Sequence, residues 1–221
     1  MRLLGVGDAA TELGVSRRRV RQMLSRGTLA GQRVGRTWVV DRADLELFSH
    51  QRRPAGRPWQ PTSAWALLAV ASGRDAAFSA SQRSRARRRL ETGLEHFLGR
   101  LAARAEARRY YAHPSVIGVL AAAAGVVRSG VSAANHFQLD LVVIDEFEGY
   151  VRASVLPDLV DRLALDQHSE RPNAVLRVVE DEFWPFGSDE QVAPAPVVAV
   201  DLLEAGDGRS RRAANRLLAL L

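Results

Sequence analysis

The chain of 221 residues is 47% hydrophobic and 25% charged, a balance typical of a globular protein with a sizeable core. It contains no cysteine, which excludes disulfides, thiol catalysis and cysteine-ligated metal sites. The net charge of +6 conceals an asymmetry: residues 1–111 hold 22 Arg against 9 acidic residues, whereas residues 112–221 hold 9 Arg against 16. The basic first half predicts a polyanionic partner.

No segment of the sequence indicates export or a membrane. The apolar residues after Met1 form too short a run for a signal peptide. The longest apolar run, about 12 residues from Val116 to Val127, is interrupted by glycine and is too short to span a bilayer. We therefore expect a cytoplasmic protein with no membrane partner.

The first part of the chain predicts two short helices. A short apolar segment at 3–6 is followed by a helix that starts near Asp8 and ends at Gly14, because glycine commonly terminates helices. Ser16 is placed to cap a second helix over about 17–26. Three apolar residues of this second helix share one face at helical spacing: Val20, Met23 and Leu24.

The segment 29–40 predicts a β-hairpin that turns at 34–37. Trp38 within it has two interpretations, since it could stack on bases or fill the core beneath the hairpin. Asp41 is placed to cap a last helix at 42–50. Two apolar residues of that helix can return to the core, Leu45 and Phe48.

This order of helix, tight turn, helix, hairpin and helix is that of a winged helix-turn-helix. Residues 6–48 resemble the excisionase/MerR-type DNA-binding domain over nearly its full length. The resemblance rests on the Ser-Arg-Arg start of the second helix, the Arg-Gly-x-Leu after it, and the Arg-x-Gly-Arg-x-Trp of the hairpin. It implies that the second helix enters the major groove of DNA.

The candidate DNA-binding residues lie in the second helix and in the hairpin. The first residues of a recognition helix meet base edges, which nominates Arg17, Arg18 and Arg21, because arginine can bind guanine with two hydrogen bonds. Arg33 and Arg36 of the hairpin suit phosphate or minor-groove contact, and the serine before the helix suits a phosphate. The complete set is Ser16, Arg17, Arg18, Arg19, Arg21, Gln22, Arg33 and Arg36.

The segment 51–62 is rich in proline and arginine and has no periodicity, so it predicts a linker. The linker would separate a DNA-binding domain at 1–50 from a second domain at 63–221. The second domain opens with a predicted apolar helix at 63–73.

Residues 79–109 predict a long amphipathic helix or a pair of helices, opened by Ser79 or Ser81. The arginines of this segment are either a second phosphate-contacting surface or a solvated helix face. They are Arg83, Arg85, Arg87, Arg88 and Arg89.

The acidic half predicts alternating helices and strands. Residues 129–139 predict a short capped helix, and two runs rich in β-branched and aromatic residues, 141–151 and 173–186, predict strands. An amphipathic helix with proline in its first turn follows at 156–165, and 193–221 predicts an apolar segment, a glycine-rich turn and a closing helix. The predicted fold class is α+β, with a small N-terminal winged helix-turn-helix plus a mixed α/β C-terminal domain.

No motif of an enzyme stands out. The sequence at 186–190 has the Gly-Ser of a nucleotidyltransferase site, but no carboxylate pair on a following strand accompanies it. The acidic runs at 145–149 and 180–182 are typical of solvated strand ends, and the five histidines lack metal-ligand spacing. We expect no catalytic residues, no metal and no cofactor.

Residues 61–221 resemble the AbiEi-type abortive-infection antitoxins and their actinobacterial relatives. The features are a Ser-Gly-x-Ser-Ala-Ala box at 129–134, a Tyr-Val strand at 150–151 and the ending Asp-Leu-Leu-x-x-x-Asp-x-Arg-Ser at 201–210. The resemblance implies an antitoxin and autorepressor that is encoded beside a nucleotidyltransferase toxin.

Two functional hypotheses follow. The first is a sequence-specific transcriptional repressor that acts as the autoregulating antitoxin of a type IV-like toxin–antitoxin system. Its partners would be double-stranded DNA of its own promoter and the nucleotidyltransferase toxin, and we expect a homodimer at least on DNA, because one winged helix offers a small interface. The second hypothesis is a stand-alone transcription factor or excisionase-like recombination directionality factor, whose C-terminal domain serves dimerisation or ligand sensing.

Overall fold

A computed structural model describes residues 3–25, 29–35, 37–42, 44–45, 48, 58–75 and 77–220. Its α-helices are α1 (Val6–Leu13), α2 (Arg17–Ser25), α3 (Pro61–Ala71), α4 (Ala80–Leu90), α5 (Leu98–Leu101), α6 (Pro114–Ala121), α7 (Leu156–Leu163), α8 (Ala195–Ala205) and α9 (Gly208–Leu218). Its strands are β1 (Leu3–Gly5), β2 (Gln32–Val34), β3 (Thr37–Asp41), β4 (Glu106–Tyr110), β5 (Val126–Arg128), β6 (Phe147–Arg152) and β7 (Ala174–Val179). Short 3-10 turns lie at Leu94–Phe97, Ala102–Arg104, Gly130–Ala133 and Asp181–Phe183.

The N-terminal part is a three-stranded antiparallel sheet, in the order β1-β3-β2, packed against α1 and α2. The predicted start of the first helix near Asp8 was two residues late, because α1 begins at Val6. Asp8 caps the helix from its third position, where its carboxylate accepts a hydrogen bond from the Gly5 N–H at 3.3 Å. The predicted end is confirmed, since Gly14 has φ 62° in the left-handed region.

The positions of the other predicted N-terminal helices and strands agree with the structure wherever the residues are described, and the cap of the last helix by Asp41 stays a prediction. The helix α2 ends at Ser25, and the predicted end at 26–27 lies outside the described residues. In the predicted last helix the described residues Arg42, Asp44, Leu45 and Phe48 are helical. Leu45 is buried in the N-terminal core and Phe48 packs against it.

The C-terminal part is built on a mixed four-stranded sheet in the order β4-β7-β6-β5. Strands β6 and β7 are parallel and are joined by α7, which makes a β-α-β unit, while the two outer pairs are antiparallel. One face of the sheet packs against α3, α8 and α9, and the other face packs against α6 and α7. The predicted α+β fold class is confirmed.

Three predictions for the C-terminal part were wrong in detail. Of the single helix or helix pair expected over 79–109, the structure forms α4, which stops at Leu90 because Gly93 takes φ 96°, and then short helical turns at 94–104; the last residues form β4 instead. The helix expected over 129–139 is reduced to the 3-10 turn Gly130–Ala133. The strand expected over 141–151 begins only at Phe147, after a loop in which Val142 and Ile144 are exposed.

The described residues of the predicted linker, 58–62, pack on the C-terminal part. Helix α3 begins at Pro61, and the Trp59 N–H donates a hydrogen bond to the Arg100 carbonyl at 3.0 Å. The ring of Trp59 lies 5.1 Å from that of Phe97. Residues 51–57 lie outside the described residues, and the division into three segments stays a prediction.

A buried carboxylate organises the centre of the C-terminal part. Asp201 of α8 is fully buried and accepts hydrogen bonds from Arg104 Nη2 at 2.5 Å and from the Tyr150 hydroxyl at 2.9 Å. Arg177 Nε lies 3.1 Å from the same carboxylate, and the Ser129 hydroxyl donates to its second oxygen. Asp201 thereby joins α8 to the turn before β4, to β6, to β7 and to the turn after β5.

Two further carboxylates complete this network. Glu204 binds Arg104 with both oxygens, at 2.6 and 2.8 Å, and also accepts from Arg177 Nη1 at 2.8 Å. Glu148 accepts from Arg177 Nη2 at 2.6 Å. Burial raises the pKa of the Glu148 carboxyl, and the charge of Arg177 opposes that shift.

We expect Asp201→Ala to lower the free energy of unfolding by about 3–5 kcal/mol, because it removes the more deeply buried of the two carboxylates that the buried Arg104 and Arg177 share. Asp158→Ala is the matched control, since Asp158 is 75% exposed and faces Arg162 at 3.8 Å. Urea denaturation followed by circular dichroism measures both. An equally small effect of the two substitutions would contradict a structural role for the network.

Candidate nucleic-acid interface

The helix α2 turns its apolar side into the N-terminal core and its basic side to solvent. Val20, Met23 and Leu24 are buried, as predicted. Successive residues of an α-helix are rotated by roughly 100°, so Arg18 and Gln22 point most directly away from that core. Arg21 lies beside them and is exposed. This face is the part of α2 that a major groove could receive.

The arginines of α2 differ in what they contact. A Cβ built on Gly7 would lie 3.5 Å from Arg17 Nη2, so the Arg17 guanidinium lies against the first turn of α1. Arg19 Nη1 donates to the Gln22 side-chain oxygen at 2.6 Å. Within the described ranges, the side chains of Arg18 and Arg21 make no hydrogen bond or ion pair. Their guanidinium groups are therefore the ones ready to bind a ligand.

Ser16 caps α2. Its hydroxyl oxygen accepts a hydrogen bond from the Arg19 N–H at 3.2 Å, which confirms the predicted cap. The hydroxyl proton stays available as a donor, because an accepted bond uses only a lone pair of the oxygen. A phosphate at this helix terminus could use that donor and the favourable end of the helix dipole.

The predicted hairpin is confirmed. Val34 pairs with Thr37, which leaves a two-residue loop in which Gly35 has φ 61°. The guanidinium of Arg33 lies 5.2 Å from the ring centre of Trp38. Trp38 is half-buried and packs against the N-terminal core, which favours the core interpretation over base stacking. Arg36, the second candidate at this tip, lies outside the described residues.

The hairpin approaches α2 closely at Gly31, a contact that the sequence patterns did not predict. A Cβ on Gly31 would lie 2.8 Å from the Val39 carbonyl oxygen and 2.5 Å from a methyl of Leu24. Only glycine therefore allows the hairpin to lie this near to the recognition helix. Ser25, also missed, is exposed on the same face of α2, and its spacing of seven residues from Arg18 could have found it.

The arginine row at 83–89 is largely occupied by contacts within the chain. Arg87 Nη2 binds Asp75 at 2.9 Å, and Arg83 lies 3.9 Å from the same carboxylate. Arg89 stacks on the ring of Trp59 at 4.0 Å. These contacts favour the interpretation of a solvated, structural helix face over that of a phosphate-contacting surface.

Other chemistry finds little support in the described part of the chain. No group of three His, Asp or Glu side chains there could hold a metal ion. No helix there is long and apolar enough to cross a membrane. Asp181, from one of the acidic runs, accepts hydrogen bonds from the N–H and hydroxyl of Ser154, which is a structural contact.

The family comparison agrees with the geometry. Residues 3–53 match the family model described as a helix-turn-helix domain. No curated protein and no solved structure matches the chain. The family match covers the N-terminal sheet with α1 and α2, and the C-terminal sheet lies outside it. The N-terminal part is a helix-turn-helix domain of the DNA-binding kind, whereas the AbiEi resemblance of the remainder is not confirmed.

We expect Gly31→Ala to destabilise the helix-turn-helix domain by about 1–3 kcal/mol and to weaken DNA binding, because the added methyl forces the hairpin away from α2. Gly118→Ala in α6 is the control, since nothing lies within 4 Å of its built Cβ. Alanine there should be neutral or slightly stabilising. Thermal denaturation measures both, and a Gly31→Ala protein as stable as the control would refute the close approach.

Proposed function

We propose that the protein is a sequence-specific DNA-binding transcriptional repressor. The observation that carries the proposal is the exposed face of α2, where the guanidinium groups of Arg18 and Arg21 have no partner among the described residues. This face belongs to a segment that matches a helix-turn-helix domain. The proposal assigns regulation, not catalysis, to the chain.

The proposed DNA-binding residues divide by their position. Arg18 and Arg21, with Gln22, read base edges in the major groove. The flanking residues of α2 and the hairpin position the domain on phosphates, which fixes its register without reading sequence. The residues proposed for this second role are Ser16, Arg17, Arg19, Arg33 and Arg36. A homodimer on repeated half-sites would supply the interface area that one such domain lacks.

The finer proposal is that the repressor is the autoregulating antitoxin of a type IV-like toxin–antitoxin system. The resemblance of residues 61–221 to AbiEi-type antitoxins supports it. In that arrangement the helix-turn-helix domain would bind the promoter that precedes the chain's own gene. The C-terminal part would counter a nucleotidyltransferase toxin.

The alternative is a stand-alone regulator or an excisionase-like directionality factor with a ligand-sensing C-terminal part. One observation favours it, a cavity of about 300 Å³ with aromatic walls that include Trp65, Phe78 and Phe186. A cavity of this size and composition suits a small molecule. Under this alternative, no toxin would be needed.

We expect Arg18→Ala and Arg21→Ala each to cost about 1–3 kcal/mol on the specific site and much less on scrambled DNA. Arg33→Ala should weaken binding to both duplexes alike, because a phosphate contact carries no sequence information. The measurement is fluorescence anisotropy with the chain's own upstream DNA and a scrambled duplex at two salt concentrations. Affinity should fall by about 0.9 log units per phosphate contact for each log unit of salt.

Arg162→Ala is the control for this titration, since Arg162 is an exposed arginine of α7 that pairs with Asp158. Its substitution should change neither affinity nor salt dependence. Equal losses on both duplexes for Arg18→Ala and Arg21→Ala would remove these residues from base reading. The absence of any preference for the upstream DNA would move the directionality-factor alternative ahead.

Co-expression tests the antitoxin proposal separately. A nucleotidyltransferase encoded next to this chain should arrest growth when expressed alone, and the full chain should restore growth. Restoration should persist in the double variant Arg18→Ala/Arg21→Ala when expression is driven from an independent promoter, because protection would come from the C-terminal part. A chain that binds its promoter yet gives no protection would leave the repressor standing without the antitoxin role.

A further inference from the structure

A cleft of about 480 Å³ lies between α9 and the loop that precedes β6. Three arginines of α9 form one wall, and a short acidic and apolar stretch of the loop forms the other. The lining residues are Asp140, Leu141, Val142, Arg209, Arg212, Ala213 and Arg216. The cleft shares no lining residue with the aromatic cavity and no residue with the buried network around Asp201.

No ion pair within the described residues neutralises the charge of the arginine wall. Arg209, Arg212 and Arg216 are exposed and follow one another at spacings of three and four residues, which places them on one face of α9. Within the described ranges, their guanidinium groups make no ion pair, although the exposed arginines Arg87 and Arg162 do. Like charges so placed repel one another, and a bound anion would relieve the repulsion.

The length of this wall indicates what kind of anion fits. Seven residues separate Arg209 from Arg216, which corresponds to roughly 10 Å along the helix axis at 1.5 Å per residue. A single phosphate is too short to engage the whole row, whereas a chain of two or three phosphates can run along it. Arginine suits this task, because its planar donor groups bind phosphate oxygens in pairs.

The opposite wall suits the rest of a nucleotide. The carboxylate of Asp140 can accept hydrogen bonds from sugar hydroxyls, as acidic residues do in other nucleotide sites. Val142 is 75% exposed and follows the buried Leu141 on this wall, so its side chain offers a small apolar surface against which a base could pack. We propose that this cleft binds a ribonucleoside diphosphate or triphosphate.

The same wall argues against duplex DNA as the occupant. A DNA backbone offers phosphates but no free sugar hydroxyl, since deoxyribose lacks the 2′-hydroxyl and its 3′ oxygen is esterified. Asp140 would then face the backbone as an unpaired negative charge. The walls of the cleft also form a concave space, and small molecules bind in such spaces.

The cleft lies beside the helix-turn-helix domain. A Cβ built on Gly208, the first residue of α9, would lie 3.5 Å from the side chain of Ala30. Burial raises the pKa of the Asp44 carboxyl, and the positive charges of Arg211 and Arg212 oppose that shift. Ligand pockets occur preferentially at such junctions between domains.

Isothermal titration calorimetry of the full chain with ATP, GTP and inorganic tripolyphosphate tests the proposal. We expect at least one nucleotide to bind, and the double variant Arg212→Ala/Arg216→Ala to weaken its binding by about a hundredfold, since each charge-assisted contact contributes roughly tenfold. Asp140→Asn should weaken nucleotide binding several-fold and leave tripolyphosphate affinity unchanged or increased. Arg88→Ala is the control, because Arg88 is an exposed arginine of α4 outside the cleft. This variant should bind the nucleotides as tightly as the unaltered chain does.

Failure of this proposal differs from failure of the DNA-binding proposal, because no DNA is present in the calorimeter. No heat with either nucleotide at millimolar concentration would overturn it, as would a double variant that binds like the unaltered chain. An anisotropy titration with duplex DNA tests whether DNA, instead of a nucleotide, binds to the arginine wall. A loss of DNA affinity in Arg212→Ala/Arg216→Ala, without nucleotide binding by the unaltered chain, would assign the arginine wall to DNA instead.

Discussion

The C-terminal part depends on one arrangement of charge, the carboxylate of Asp201 held between two buried guanidinium groups. Removing charges from water costs several kcal/mol for each ion, and only close pairing with further hydrogen bonds offsets that cost. Arg104 and Arg177 meet this condition, since each also binds Glu204 at 2.8 Å or less. A charged cluster of this kind tolerates few geometries, so it fixes where its supporting elements can lie.

That constraint explains several local features that propensity alone would not produce. Alternation along β6 and β7 places Glu148, Tyr150 and Arg177 on the sheet face that α8 covers, so this face carries polar groups at its centre. Burial raises the pKa of the Tyr150 hydroxyl, which keeps it a donor to Asp201. Gly130 has φ 49°, and any side chain there would collide with the carboxylate of Glu148. The conformation of the turn after β5 is therefore constrained by the network.

The sequence predicted the N-terminal part well because its elements are marked locally. Gly14 and Ser16 delimit the helices, and a two-residue loop sets the hairpin register. The C-terminal part was predicted less well, because its decisive contacts are distant: Arg104 and Asp201 are separated by 97 positions. The sequence pattern of β4 predicts the end of a basic helix, and these residues form a strand because they pair with β7. At the candidate interface, spacing identified the exposed arginines of α2 but could not show that Arg17 lies against α1.

The sequence contains arginine but no lysine, so the frequency of arginine alone cannot distinguish arginines that bind a ligand from those that stabilise the fold. The contacts that each guanidinium group makes within the chain do distinguish them. Arg104 and Arg177 pair with carboxylates inside the core. On α4, Arg87 pairs with Asp75 and Arg89 stacks on the ring of Trp59. In the part of the chain that the structure describes, exposed arginines without such contacts follow one another along one helix on α2 and on α9, whereas Arg88 and Arg109 are single instances. A row of like charges raises the free energy of the isolated helix, so an anionic ligand gains most where no internal carboxylate already relieves the repulsion. By this physical criterion the two helices present different sites: α2 offers a convex face for the groove of DNA, and α9 offers a concave wall for a smaller polyphosphate.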